Sequence, residues 1–191
     1  MKNTFIAINL SNEMKNLILK FQKELDLYVN NVHFVKKDNL HITLAFLGSI
    51  SGSRLKQAIE IISAIGKDLE PFSLVLGGFG VFPEVRRAKT LWLGVDNNVL
   101  MNKFNQAICR KLSKAGFDID ERHYQPHITL ARTKNSFLKK ETVKFLLDKF
   151  KNINLEKIEL NRFSIMESNL RPEGTIYHVI KNINLKRKNV L

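Results

Sequence analysis

The sequence predicts an α+β fold built on antiparallel sheet, folded as one compact body of two similar lobes over residues 1–191. Three observations carry this. Helix-period and strand-like segments alternate along the chain, and several strand-to-strand connections are too short for a helical crossover, which favours antiparallel pairing. No Pro/Gly/Ser-rich linker divides the chain. A pentapeptide of the first half, His41-Ile42-Thr43-Leu44-Ala45, returns unchanged in the second as His127-Ile128-Thr129-Leu130-Ala131.

The elements follow in order. Phe5 to Leu10 reads as a short buried strand, and Ser11 caps a helix with Met14, Leu17, Ile18, Phe21 and Leu25 on one face. A basic loop around Lys36 and Lys37 leads into a strand from His41 to Leu47. The next helix places Leu55, Ala58, Ile62 and Ile65 together, with Gly66 as its stop. Strands near Phe72–Phe79 and Thr90–Val95 are separated by Phe82-Pro83 and the pair Arg86, Arg87. A helix with Leu100, Phe104, Ala107, Ile108 and Leu112 ends at Gly116 behind Lys111 and Lys114. A strand starts at His127, and Val143, Leu146, Leu147 and Phe150 mark a helix. Closing strands cover Lys157–Met166 and Thr175–Ile183, and Lys186-Arg187-Lys188 reads as a solvated, frayed end.

Composition narrows the function. Hydrophobic residues make up 44% and charged residues 26%, as in a folded globular chain. Against 18 Asp+Glu stand 31 Lys+Arg, a net charge of +13 that suits a polyanionic partner such as nucleic acid, or simply a solvated lysine-rich surface. The single cysteine, Cys109, can form no internal disulfide, which fits a reducing cytoplasm. It sits among apolar residues at helical spacing, as a buried structural thiol would. Cys and His show no zinc-type spacing. Met1-Lys2-Asn3-Thr4 runs into a short apolar segment unlike a signal-peptide core, and no segment approaches a membrane span.

The repeated pentapeptide carries the chemistry. Side chains alternate along a strand, so His and Thr at i and i+2 share one face while Ile and Leu fill the other. Approximate two-fold symmetry would bring two imidazoles and two hydroxyls around one small volume. Such a pair suits acid–base cleavage of a phosphodiester: one neutral imidazole takes a proton from water, and one imidazolium donates to the departing ribose oxygen. The threonines can bond the non-bridging oxygens. Packing alone would keep Ile and Leu in both copies but has no reason to keep His and Thr.

HITLAFLG at 41–48 and QPHITLAR at 125–132 resemble the paired HxTx motifs of the two-histidine (2H) phosphoesterase superfamily. Within it, the chain is most similar to the RNA 2′,3′-cyclic phosphodiesterases, historically called 2′-5′ RNA ligases. FIAI at 5–8, Gly80-Val81-Phe82-Pro83, LWLGV at 91–95 and a late strand with Ser168, Gly174 and Tyr177 extend the resemblance over nearly the whole chain. The resemblance implies two pseudo-symmetric antiparallel sheets, flanked by helices, around a central V-shaped cleft. It implies opening of a 2′,3′-cyclic phosphate to a 2′-phosphomonoester; no metal or cofactor is expected, since imidazolium and the hydroxyl donors can balance the charge and no acidic cluster adjoins either motif. By position His41 would be the proton donor and His127 the acceptor, although the two copies are identical through Ala; Thr43 and Thr129 would hold the phosphate. Members often carry an Arg just before the first strand, where this chain has Lys2, Asn3 and Thr4.

Other residues have two readings. Strict alternation turns Phe46 and Arg132 away from the His/Thr face, yet an unpaired Arg is not expected in a core, so a twist or strand end would release Arg132 toward the phosphate. A surface ion pair is the alternative. Phe46, Tyr124 and Trp92 could stack on bases, though burial tendency favours the core for each. Arg86 and Arg87 fit a phosphate-contacting loop or a solvated turn. His33, His123 and His178 are surface or structural. The competing activities are 2′-5′ ligation, hydrolysis of 2′-5′ oligoadenylate or a small cyclic nucleotide, and non-catalytic RNA binding. A monomer acting on RNA with 2′,3′-cyclic phosphate ends, with no membrane association, is expected.

Overall fold

The computed structural model describes residues 2–96, 98–120, 124–134, 136–172 and 174–186. Its strands are β1 (Lys2–Asn9), β2 (Val32–Phe34), β3 (His41–Ile50), β4 (Phe72–Phe82), β5 (Thr90–Val95), β6 (His127–Thr133), β7 (Asn154–Leu160), β8 (Arg162–Arg171) and β9 (Gly174–Asn184). The helices are α1 (Asn12–Asp26), α2 (Gly52–Asp68), α3 (Asn98–Lys114) and α4 (Lys140–Lys149). Among the described residues no helix is long and apolar enough to cross a membrane.

The strand order is β7-β4-β5-β6-β3-β1-β8-β9, all antiparallel, with β2 beside β6. The expected pair of sheets is present as two four-stranded halves whose inner strands, β3 and β6, meet at one pair, Ile42 opposite Ile128. Both inner strands are HIT strands. In each half a strand and the HIT strand pair antiparallel although a helix lies between them in the chain (β1 and β3 around α1 and β2, β5 and β6 around α3).

The helices form for the reasons read from the sequence. The Ser11 hydroxyl accepts from the Met14 amide at 3.2 Å and caps α1. Met14, Ile18, Phe21 and Leu25 are buried below it. Gly116 has φ of 75°, a left-handed turn that stops α3 while the Phe117 amide returns to the Leu112 carbonyl at 3.1 Å. Cys109 is buried in the α3 core face.

Four expectations need correction. Gly66 does not stop α2, which runs to Asp68; a Cβ there would collide with Ile183 and with the Asn184 carbonyl, so the glycine lets β9 pack onto the helix. The strand expected over Lys157–Met166 is two strands broken at Asn161, one in each half. The apolar parity shifts there, from Ile158 and Leu160 to Phe163 and Ile165. The segment before the basic loop at Lys36 and Lys37 forms a strand, β2, too short to show periodicity. Lys186 is not frayed: its amide reaches the Gly66 and Leu69 carbonyls at 3.1 Å each. Arg187 and Lys188 lie outside the described residues.

Candidate active site

A cavity of about 260 Å³ opens where the two halves meet, lined by His41, Thr43, His127, Thr129, Arg132, Phe46 and residues of β1, β8 and β9. Both imidazoles and both threonine hydroxyls of the HIT repeat therefore face one volume. The register explains it. Carried one residue either side of the Ile42–Ile128 pair, it sets His41 opposite Thr129 and Thr43 opposite His127. Ile42, Leu44, Ile128 and Leu130 fill the core behind.

Phe46 and Arg132 reach the cavity because both HIT strands carry a bulge at the same place. On β3, Thr43 pairs with Ala7 and Ala45 with Ile6, so Leu44 is the extra residue; on β6, Thr129 pairs with Trp92 and Ala131 with Leu91, so Leu130 is the extra residue. A bulge shifts the alternation by one. Leu44 and Ala45 are consequently both buried, as are Leu130 and Ala131, and the next residue swings to the cavity side. Side chains bond the carbonyls of both extra residues: Asn105 Nδ2 of α3 donates to the Leu44 carbonyl at 2.7 Å, and Gln22 Nε2 of α1 donates at 2.8 Å to the Leu130 carbonyl, which also accepts from the Val35 amide at 2.8 Å. Gln22, expected on no apolar face, is buried for this purpose.

The rings are held alike. His41 Nδ1 lies 2.6 Å from the Asn39 carbonyl and His127 Nδ1 lies 2.8 Å from the Gln125 carbonyl. A carbonyl only accepts, so Nδ1 carries the proton in each ring and leaves Nε2 to act as base or, once protonated, as acid. His41 Nε2 is 3.1 Å from the Thr43 hydroxyl. Aromatic rings brace both: Phe5 and Tyr177 at 5.2 and 5.1 Å from His41, Phe82 and Trp92 at 4.9 and 6.1 Å from His127. Arg132 Nη1 donates to the Thr90 hydroxyl at 3.0 Å, which steadies the guanidinium at the rim. Among the described residues no carboxylate lines the cavity, and no group of three or more His, Cys, Asp or Glu is placed to hold a metal ion.

Burial pushes the His41 imidazolium down to about 4, reinforced by the charges of His127, Lys15 and Arg132 and opposed by the Asn39 carbonyl. Burial also lowers His127, with Arg132 adding to it and the Gln125 carbonyl opposing. For His41 the sign for stability is set by the unfolded chain, which binds a proton near 6.5 while the folded one resists until about 4. Stability should therefore hold above pH 6.5 and fall by roughly 3 kcal/mol as pH drops to 4. Denaturant unfolding at pH 7.5 and 4.5 should show a larger acid loss for wild type than for His41→Asn; equal losses would refute the linkage.

Residues outside the motifs sort plainly. Tyr124 does not line the cavity; its phenol donates to the Thr43 carbonyl at 2.9 Å, and burial pushes its pKa up. Phe46 is 64% exposed at the rim. Trp92 is half-buried against Phe82 and Gly80. Arg86 and Arg87 are exposed and off the cavity, Arg87 facing Glu84 at 3.9 Å. His33 and His178 are exposed, and His123 lies outside the described residues. Asn3, Thr4 and Phe5 do line the cavity, so the first strand contributes to it without an arginine. Val35 and Asn39 were not expected there and had no distinguishing pattern.

Gly80 sits opposite Trp92, and a Cβ on it would overlap the indole. Gly80→Ala should therefore displace the sole tryptophan, shift its fluorescence and cost about 1–3 kcal/mol. Unchanged emission and melting temperature would contradict this packing.

Comparison with known proteins agrees with the geometry. The 2′-5′ RNA ligase superfamily model matches residues 14–169. An RNA 2′,3′-cyclic phosphodiesterase of Methanocaldococcus jannaschii is 34% identical over 177 residues, covering 93% of this chain and 97% of the relative. One from Aquifex aeolicus is 29% identical, covering 95% and 96%. In fold the chain is similar to a Thermus thermophilus crystal structure (TM-score 0.81, 19% identity, 96% and 97% covered) and to E. coli LigT complexed with 3′-AMP (TM-score 0.76, 22% identity, 97% and 99% covered). This chain belongs to the 2′-5′ RNA ligase superfamily, that is, to the 2H phosphoesterases.

Proposed function

We propose that this protein hydrolyses the 2′,3′-cyclic phosphate end of RNA to a 2′-phosphomonoester, by acid–base catalysis on two histidines and without a metal. The observation that carries the reading is the convergence of both HIT copies and Arg132 on one cavity. The relatives' names supply the substrate class. His127 takes a proton from water as its oxygen attacks phosphorus, and His41 gives one to the ribose 3′ oxygen as the P–O3′ bond breaks. Both rings resist protonation in the free protein. The bound phosphate anion supplies the counter-charge that lets one accept a proton, so the acid forms where the substrate sits. Thr43, Thr129 and Arg132 hold the non-bridging oxygens for in-line attack. Phe46, exposed at the rim, offers a face to the terminal base; Tyr124, bonded to the β3 backbone, supports the wall instead.

Side chains of both halves line the one cavity, which supports reading residues 1–191 as one 2H domain, acting as a monomer. A reducing cytoplasm suits the lone buried thiol.

The test is an oligonucleotide ending in 2′,3′-cyclic phosphate, with the product's phosphate mapped and a second reaction run in EDTA. A 2′-phosphate in both is expected. A 3′-phosphate, or loss of turnover restored by metal, overturns the reading. Adding an RNA with a 5′-hydroxyl measures ligation, which predominates only if that hydroxyl displaces water from the cavity.

A further inference from the structure

We propose that Asn39 is a positioning residue, which couples the β8–β9 hairpin to the His41 imidazole. The inference deepens the reading above and rests on it for its kinetic arm.

Two bonds from one residue define the role. The Asn39 side-chain amide donates to the Thr175 carbonyl at the start of β9, 2.8 Å away, and the Asn39 main-chain carbonyl accepts from His41 Nδ1 at 2.6 Å. Thr175 is two residues before Tyr177, whose ring meets His41 edge-on at 5.1 Å and lines the cavity beside Asn39. Tyr177 in turn pairs across the hairpin with Ser168, which lines the cavity too. Beside Phe5 and the Thr43 hydroxyl, the His41 ring is thus supported by the carbonyl at Nδ1 and by Tyr177 at its edge, and the Asn39 amide ties these last two supports together. A hydrogen bond through the side chain fixes the orientation of the peptide that presents the carbonyl. That peptide lies in a short 3₁₀ turn, Lys37–Asn39, whose own hydrogen bonds run from Asn39 to Lys36 and from Leu40 to Lys37. Short 3₁₀ turns have poorer hydrogen-bond geometry than an α-helix, so an outside anchor matters here.

The second half uses a different construction. His127 Nδ1 is held by the Gln125 carbonyl beside Pro126. Proline's fixed φ stiffens that segment directly. His41 follows Leu40 instead and has no such restraint. Asn39 supplies by tertiary contact what Pro126 supplies covalently. Loosening Asn39 should thus disturb one ring and leave the other intact, a signature that general loss of structure would not give.

The experiment is ¹⁵N-histidine NMR of the full chain, with kinetics on the cyclic-phosphate oligonucleotide. In wild type, His41 and His127 should both show the Nδ1-protonated neutral tautomer; an Nε2-protonated His41 overturns the proposal without any variant. Asn39→Ala removes the donor, and Asn39→Asp keeps the shape but cannot donate to a carbonyl. In each, His41 should become a mixture of tautomers while His127 keeps its signal, and kcat should fall about 10- to 100-fold with KM changed far less. A wild-type His41 tautomer in either variant, or equal disturbance of both histidines, defeats the coupling. Should wild type prove inactive on the oligonucleotide, the hydrolysis reading fails, and the NMR arm still decides whether Asn39 holds the ring.

Discussion

His41→Ala and His127→Ala should each lower kcat on a 2′,3′-cyclic phosphate by about 10²- to 10⁴-fold, with the fold retained. The range is that of one positioned proton transfer. Neither ring is a structural keystone: each is only partly buried and faces a cavity, whereas the apolar residues between and behind them are fully buried. Groups that act as a unit do not contribute additively, so the double variant should be little worse than either single one. Circular dichroism and melting checked beside kcat separate lost chemistry from lost structure. Near-wild-type turnover in either variant would end the acid–base assignment. If instead both singles are weak and the double is severe, the histidines are interchangeable rather than paired in sequence.

Thr43→Val and Thr129→Val should slow turnover by about 10- to 1000-fold, the cost of one donor aimed at developing charge. Valine keeps the β-branched shape that suits the strand, so packing behind the cavity is preserved. The two sites should not be equal. Thr43 also lies 3.1 Å from His41 Nε2, so its loss would remove the proposed phosphate contact and a restraint on the ring together. Thr43→Val should therefore be the more severe. Serine at either position keeps the hydroxyl and should stay within about one order of magnitude of wild type. Equal rates for Val and wild type would show that these hydroxyls do not meet the phosphate.

The salt response separates substrates further. A chain of net charge +13 should bind a long RNA end with steep dependence on ionic strength. A mononucleotide 2′,3′-cyclic phosphate should respond weakly. Parallel responses would place the excess lysines away from the RNA path.

The candidate site was legible where chemistry and periodicity coincide. His41 and Thr43, like His127 and Thr129, sit two apart in repeated apolar strands, and that spacing alone places each pair on one face. Phe46 and Arg132 illustrate what periodicity misses. Alternation sends both to the core side, and only the extra residues Leu44 and Leu130 return them to the cavity. The carbonyls of the bulge residues are in turn bonded by Asn105 and Gln22 across the molecule, contacts with sequence separations of 61 and 108 residues. No local pattern records such a bond. For Tyr124, an aromatic beside a motif, stacking on a base and burial in the core are both open from the sequence; the fold packs it, partly buried, against the core, and its hydroxyl donates to the Thr43 carbonyl.

From its order of residues alone, this chain specified a mixed antiparallel fold, capped helices and two chemically identical strands, because these follow from side-chain period, capping and turn preferences acting within a few residues. Only the folded chain decided that the strands meet at Ile42 and Ile128, which nitrogen of each imidazole is protonated, and which flanking side chains enter the cavity. Those outcomes depend on satisfying buried backbone groups between distant segments, a condition that exists only once the halves have packed together.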